Sequence, residues 1–267
     1  MSADERIGSG ARQQLAAELA VHGGRIALEY FHRARRDDAR DDTADADIRQ
    51  RLAARIATMF PDDAVVGAEP GQPGGRSHGL HSWVVATGEA TRSFGRGLPG
   101  FAVSIGVLRS GLPYVGAVYD PLARWLFTAC AGRGAWLNER PLNATPVSLS
   151  RASVGALGSP FGAGLPPFTE EWVRRYRLRS FGSTALHLCY VAMGALDLVH
   201  DHRAALVDIA GAAAVVLEAG GVLTGVDGSP VFPARREHLA GEPLAILAGN
   251  RASHAEALAD VRYLMRA

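Results

Sequence analysis

The stretch from Phe101 to Leu142, FAVSIGVLRSGLPYVGAVYDPLARWLFTACAGRGAWLNERPL, constrains the fold more than any other part of the chain. Apolar runs alternate with Gly, Pro and Asn turn signals, the pattern of hairpin strands in a mostly antiparallel sheet. Helices precede it. In ARQQLAAELAVHGGRIALEYFHRARR, Leu15, Leu19, Ile26 and Tyr30 recur at helical spacing, with the Gly23/Gly24 pair weakening the middle. RDDARDDTADADIRQRLAARIATMFPDD starts as an acidic loop, read as solvated Asp residues with helix N-caps. It continues as a second amphipathic helix with Ile48, Leu52 and Ile56 on one face, stopped by Pro61. AVVGAEPG then reads as a short buried strand meeting a turn, and QPGGRSHGLH as a mobile Gly/Pro-rich loop.

Beyond NATPVSLSRAS the pattern changes to short strands alternating with helices. VGALGSP, LRSFG, LVHD and AILAGN read as strands, while PPFTEEWVRRYR, STALHLCYVAMGALD and DIAGAAAVVLEAGG read as helices, the last closed by a Gly pair. Within STALHLCYVAMGALD, Leu186, Tyr190 and Met193 share one side, and His187 reads as a packed or capping residue. A boundary falls near residues 145–150. The expected fold is α+β / α/β, with layered sheets and helices: an N-terminal α+β subdomain over 1–147 and a C-terminal α/β subdomain over 148–267, facing one cleft.

The 267 residues, 48% hydrophobic and 21% charged, can bury a sizeable core. A net charge of +1 provides no basic field for nucleic acid, so the expected partner is a small molecule. All 28 basic residues are Arg; without Lys, any cation at a site must be Arg, His or a metal. Cys130 and Cys189 are far apart with no CxxC spacing, which disfavours a disulfide framework or structural zinc. The polar N-terminus and the lack of any run of about 18 apolar residues give no membrane association and a cytoplasmic location as expectations.

Trp83 to Leu142, beginning WVVATGEATRSFGRGLPG, resembles the central segment of inositol monophosphatase-like proteins. FPDDAVVGAEPG, GSTALHLCYVAMGALD and DIAGAAAVVLEAGGVLTGVDGSP are similar to its flanking segments at the expected separations, so the resemblance covers most of residues 10–255. It implies a layered α/β/α/β/α sandwich and a homodimer. Known members are magnesium-dependent, lithium-sensitive phosphomonoesterases in which carboxylates hold two or three Mg²⁺ ions that lower a water's pKa and neutralise phosphate.

By this resemblance the metal-binding Glu of a Gly-Glu-Glu strand end falls on Ala68, and its non-ligand neighbour on Glu69. The family's turn Asp-Pro-Ile-Asp-Gly-Thr falls on Ala86, Thr87, Gly88, Glu89, Ala90 and Thr91. The Trp-Asp pair falls on Val207 and Asp208, which keeps the carboxylate. Holding divalent ions about 4 Å apart needs an anionic cage, and two of its carboxylates are methyl groups here. No cofactor is therefore expected; Glu89, Asp208 and the Gly88 carbonyl can hold at most one weak, mostly hydrated Mg²⁺.

Replacement chemistry has candidates of its own. HDHR, His200 to Arg203, lies where the resemblance implies contacts to substrate hydroxyls, and Asp201 falls on an acidic substrate-binding position. A His beside an Asp can act as general acid or base, and Arg203 can bind an anion. The catalytic candidates are thus Glu89, Thr91, His200, Asp201, His202 and Asp208. The substrate-binding candidates are His78, His81, Gly88, Ala90, Thr91 and Arg203, and the resemblance implies that Thr91 orients water and that backbone N–H groups at the start of the following helix dock phosphate. A Glu69–Glu89 carboxylate pair for acid–base work is a further alternative. Three functions stay open: a metal-independent reaction on a small polar, phosphorylated or other metabolite, a working Mg²⁺-dependent phosphomonoesterase of the inositol-, histidinol- or sugar-phosphate type, and a non-catalytic binding protein.

Overall fold

The computed structural model describes residues 3–37, 44–69, 72–74, 80–87, 97–161, 164–239 and 241–265. Two helices open the chain, α1 (Ala3–Asp37) and α2 (Ala44–Met59). Leu15, Leu19, Ala27 and Phe31 of α1 are buried, as are Ile48, Leu52 and Ile56 of α2. Asp45 and Asp47 occupy the first turn of α2, where carboxylates offset the helix dipole, and each pairs with the Arg four residues on. The helix α1 runs unbroken through Gly23 and Gly24. A Cβ on Gly24 would lie 2.4 Å from the Tyr119 ring, and one on Gly23 only 3.0–3.2 Å from Leu52, Ile48 and Val103. The pair is a close-approach surface rather than a break.

The first sheet contains β1 (Ala64–Glu69), β2 (Gln72–Gly74), β3 (His81–Ala86), β4 (Val103–Arg109), β5 (Leu112–Asp120), β6 (Trp125–Cys130), β7 (Gly134–Leu137) and β8 (Arg140–Pro141). Their spatial order is β2-β1-β3-β4-β5-β6-β7-β8, antiparallel except for the β1–β3 pair. The expected mobile loop is thus in part a strand, because Gln72–Gly74 pairs with β1. Ser110 and Gly111, both at positive φ, join β4 to β5 as the two-residue turn that matches strand twist.

The second sheet holds β9 (Val154–Leu157), β10 (Arg177–Arg179), β11 (Leu198–Ala204), β12 (Val222–Gly225) and β13 (Leu244–Gly249), in the order β10-β9-β11-β13-β12. Strands β10, β9 and β11 are parallel; β13 is antiparallel to its neighbours. Among the described residues this half holds the helices α3 (Pro167–Arg175), α4 (Thr184–Ala192), α5 (Leu206–Glu218), the single turn α6 (Arg236–Leu239) and α7 (Arg251–Leu264). Pro167 at the first position of α3, Ser183 capping α4 and Asn250 capping α7 mark their starts. Gly220 and Gly221 end α5 by donating to Leu217 and Val216 carbonyls.

Five layers result. α1 and α2 cover one face of the large sheet, α4 and α5 lie between the sheets, and α3 and α7 cover the outer face of the small one. The largest apolar cluster fills the middle, joining Val118 and Phe127 to Leu186, Leu188, Ile209 and Val215. Helix α5 lies almost on the backbone of β4 and β5. Gly106 and Gly116 pair across those strands, and a Cβ on Gly116 would stand 2.1 Å from the Gly211 carbonyl oxygen. This contact fixes where the N-terminus of α5 points.

A polar cluster ties the outer layer to the sheet. Asp63 accepts two hydrogen bonds from Arg12, each 2.8 Å, and one from Trp83 Nε1 at 2.8 Å. Arg12 also lies over the Phe60 ring at 4.4 Å. No helix of the described residues is long and apolar enough to cross a membrane.

Candidate functional site

A pocket of about 410 Å³ opens where the small sheet's parallel strands end. Its walls are the turn after β9 (Gly158 to Pro160), the turn after β10 (Ser180, Gly182), the start of α4, the end of β11 and Asp208 in the first turn of α5. Carboxyl ends of parallel strands are where α/β sheets form ligand crevices, because loops diverge there and helix N-termini converge.

Asp201 is the most constrained group in it. The residue is 8% exposed; Thr184 Oγ1 donates to its Oδ2 at 2.5 Å and the Arg203 backbone N–H to its Oδ1 at 2.9 Å. Gly158 makes the seat, since a Cβ there would lie 2.2–2.5 Å from the carboxyl atoms. The carboxylate is therefore fixed in direction, with lone pairs left for a ligand. Arg203 is exposed at the rim and Asp208 half-buried.

The HDHR cluster is divided by strand geometry. Successive side chains on a strand point to opposite faces, so His200 turns away from Asp201. His200 does not line the pocket; it is 1% exposed, with Phe168 and Trp172 at 5.2 and 6.2 Å. Its Nδ1 donates to the Ile246 carbonyl at 2.9 Å, and burial lowers its pKa. His202 returns to the pocket because the ladder to β13 is irregular between Asp201 and Ala204. Its ring stacks on Phe161 at 4.4 Å, and neither ring nitrogen has a hydrogen-bonding partner among the described residues.

His81 also lies elsewhere. It begins β3, roughly 16 Å of strand from Ala86. There it packs on Tyr114 and approaches Asp63 at 3.8 Å, with its pKa lowered by burial and by Arg12. The expected loop position fails because residues from His81 onward continue the ladder to β4. His78, Gly88, Glu89, Ala90 and Thr91 lie outside the described residues. So do the side chains of Ala68 and Glu69, which close β1, and with them the alternative carboxylate pair.

Thr184, His187 and Gly158 complete the pocket and were not singled out for it from sequence. The available signal was topological: β9 and β11 are adjacent and parallel, so the residues following each must meet. His187 is packed, as expected, and also lines the pocket. Its Nε2 accepts the Phe181 N–H at 2.9 Å, and burial lowers its pKa to about 4 despite the nearby Asp201.

This sets a pH dependence. The folded pKa lies below the ordinary 6.5, so the unfolded chain binds the proton more readily. The stabilisation is fully present above pH 6.5 and is lost as pH falls towards 4, by about 3 kcal/mol at 1.36 kcal/mol per unit. Denaturant titrations between pH 7 and 4 should show this decline, with a shallower one in His187→Asn; equal slopes in both chains would refute the assignment.

Ala86 ends β3 as a methyl group facing Ser104 across the ladder, and Asp201 is engaged by Thr184 and Arg203. Among the described residues, no three His, Cys, Asp or Glu side chains gather so as to hold a metal ion.

The sequence model of the Inositol monophosphatase family matches residues 12–265. The chain belongs to the inositol monophosphatase family. Relatives agree with that frame. A fructose-1,6-bisphosphatase/inositol-1-monophosphatase of Aquifex aeolicus is 29% identical over 258 residues, 90% of this chain and 91% of that protein. Inositol monophosphatase 1 of Solanum lycopersicum is 37% identical over 163 residues, 55% of this chain but only 57% of that protein's length. Among solved structures, the inositol monophosphatase from Anabaena (Nostoc) sp. PCC 7120 superposes with a TM-score of 0.81 at 25% identity, covering 96% of both chains. Inositol monophosphatase-II of Staphylococcus aureus MSSA476 gives 0.80 at 27%, covering 96% of this chain and 94% of that one. The mixed, layered α+β architecture is that of the inositol monophosphatase structures.

Proposed function

We propose that this inositol monophosphatase-family protein takes a small hydroxylated monophosphate into the pocket at the ends of β9 and β11 and acts on it without the paired metal ions of its relatives. The observation that carries the reading is the Asp201 carboxylate, fixed by Thr184 and the Arg203 N–H in a pocket that the exposed Arg203 and Asp208 also line, while Ala86, where the resemblance places a metal-binding carboxylate, ends β3 as a methyl group. Asp201 accepts a hydrogen bond from a substrate hydroxyl. Arg203 offers a planar pair of N–H donors to an anionic oxygen. Asp208, in the first turn of α5 at the pocket wall, is the carboxylate that takes a proton.

A second reading, an Mg²⁺-dependent phosphomonoesterase, is favoured by the retained Asp208 and by relatives named inositol monophosphatases. Calorimetry with inositol monophosphate in excess EDTA separates the two. Binding should persist in EDTA and weaken at least about tenfold in Asp201→Asn. Binding that vanishes in EDTA and returns with Mg²⁺ would overturn the metal-independent reading.

A further inference from the structure

His187 has a polar atom that the fold leaves unused. It sits on α4 one turn after Thr184, 1% exposed, and lines the pocket beside Asp201. Because Nε2 accepts the Phe181 N–H, that nitrogen carries no proton, and the neutral ring must carry its proton on Nδ1. Nδ1 is buried and has no hydrogen-bonding partner among the described residues. A buried N–H without an acceptor is unfavourable, and since His187 lines the pocket, a ligand oxygen that reaches Nδ1 relieves it.

The same pocket holds an acceptor of fixed direction. Asp201 is held by Thr184 Oγ1 and the Arg203 N–H, one on each oxygen, and retains lone pairs. One donor and one acceptor in one pocket match a hydroxyl, which accepts and donates through the same oxygen.

We propose that His187 determines specificity: its Nδ1–H donates to the oxygen of one substrate hydroxyl while Asp201 accepts that hydroxyl's proton, selecting polyhydroxylated monophosphates. The inference rests on the pocket reading above and names the end of the substrate that lies away from the phosphate. The imidazole is uncharged at neutral pH, because burial outweighs the neighbouring carboxylate. A second phosphate at that end would face Asp201 with no cation from His187, so bisphosphates are disfavoured there.

The test uses the full chain, uniformly ¹⁵N-labelled, and three probes: inositol monophosphate, fructose 1,6-bisphosphate and inorganic phosphate. The His187 ring should show the Nδ1–H tautomer, and its Nδ1 signal should move with inositol monophosphate but not with inorganic phosphate. His187→Leu should weaken inositol monophosphate about tenfold or more while leaving inorganic phosphate unchanged. His187→Asn, which keeps an N–H donor near the Nδ1 position, should stay within about threefold. An immobile His187 signal while the Arg203 and Asp208 amides shift would overturn this inference and leave the functional reading standing. No shift anywhere in the pocket with inositol monophosphate would overturn both. If His187→Leu does not fold, the ring signals of the native chain still decide.

Discussion

Asp63→Ala is expected to lower the unfolding free energy by about 3–5 kcal/mol, the cost of breaking a buried charge pair on one side. Asp63 receives both donors of the Arg12 fork and the Trp83 indole N–H, all at 2.8 Å. Removing it strands a guanidinium whose side chain is only 14% exposed, and an indole N–H on a fully buried residue. The double change Arg12→Met with Asp63→Leu should recover much of the loss, because no charge is then left unpaired. Urea titrations of the three chains measure this; a single-variant loss below about 1 kcal/mol would show that the cluster is solvated and structurally idle.

Gly158→Ala is expected to remove ligand binding at the pocket while leaving the chain folded. The added methyl would lie 2.2 Å from the Asp201 Cγ, closer than any real contact, so the carboxylate must swing away from Thr184 and the Arg203 N–H. Crowding of this kind costs about 1–3 kcal/mol in stability. Affinity should suffer more, since a displaced carboxylate no longer meets the hydroxyl, and Kd for inositol monophosphate should rise about 100-fold. Calorimetry and thermal unfolding on one preparation check both halves. Unchanged affinity would mean that Asp201 is not the recognition group.

Elements whose signal is local were legible in the sequence. Phe101 to Leu142 announced its hairpins through Val-rich runs and turn residues, and β4 to β8 follow it. Gly23 and Gly24 show the limit of such reading: propensity marks them as weak points, but the space they leave is filled by Tyr119, Leu52 and Ile48 from distant segments. In the site, Asp201, Arg203 and Asp208 were legible and do meet at one pocket. His200 stands apart from the rest of HDHR because LVHD is a strand, and strand parity separates neighbours. His202 returns to the pocket through an irregularity that no residue type announces. Gly158 and Thr184 matter only because β9 and β11 are neighbours, a fact of sheet order that one sequence does not display.

The proposed loss of paired-metal chemistry stands or falls on how the native chain responds to Mg²⁺. Its most direct test is calorimetric titration of Mg²⁺ with a parallel phosphate-release assay on inositol monophosphate, for the native chain and for the triple variant Ala68→Glu, Ala86→Asp, Glu89→Asp. Weak, non-saturating heats and no Mg²⁺-dependent phosphate release are expected from the native chain, with saturable binding and turnover in the triple variant. Saturable, tight Mg²⁺ binding accompanied by phosphate release from the native chain would contradict it.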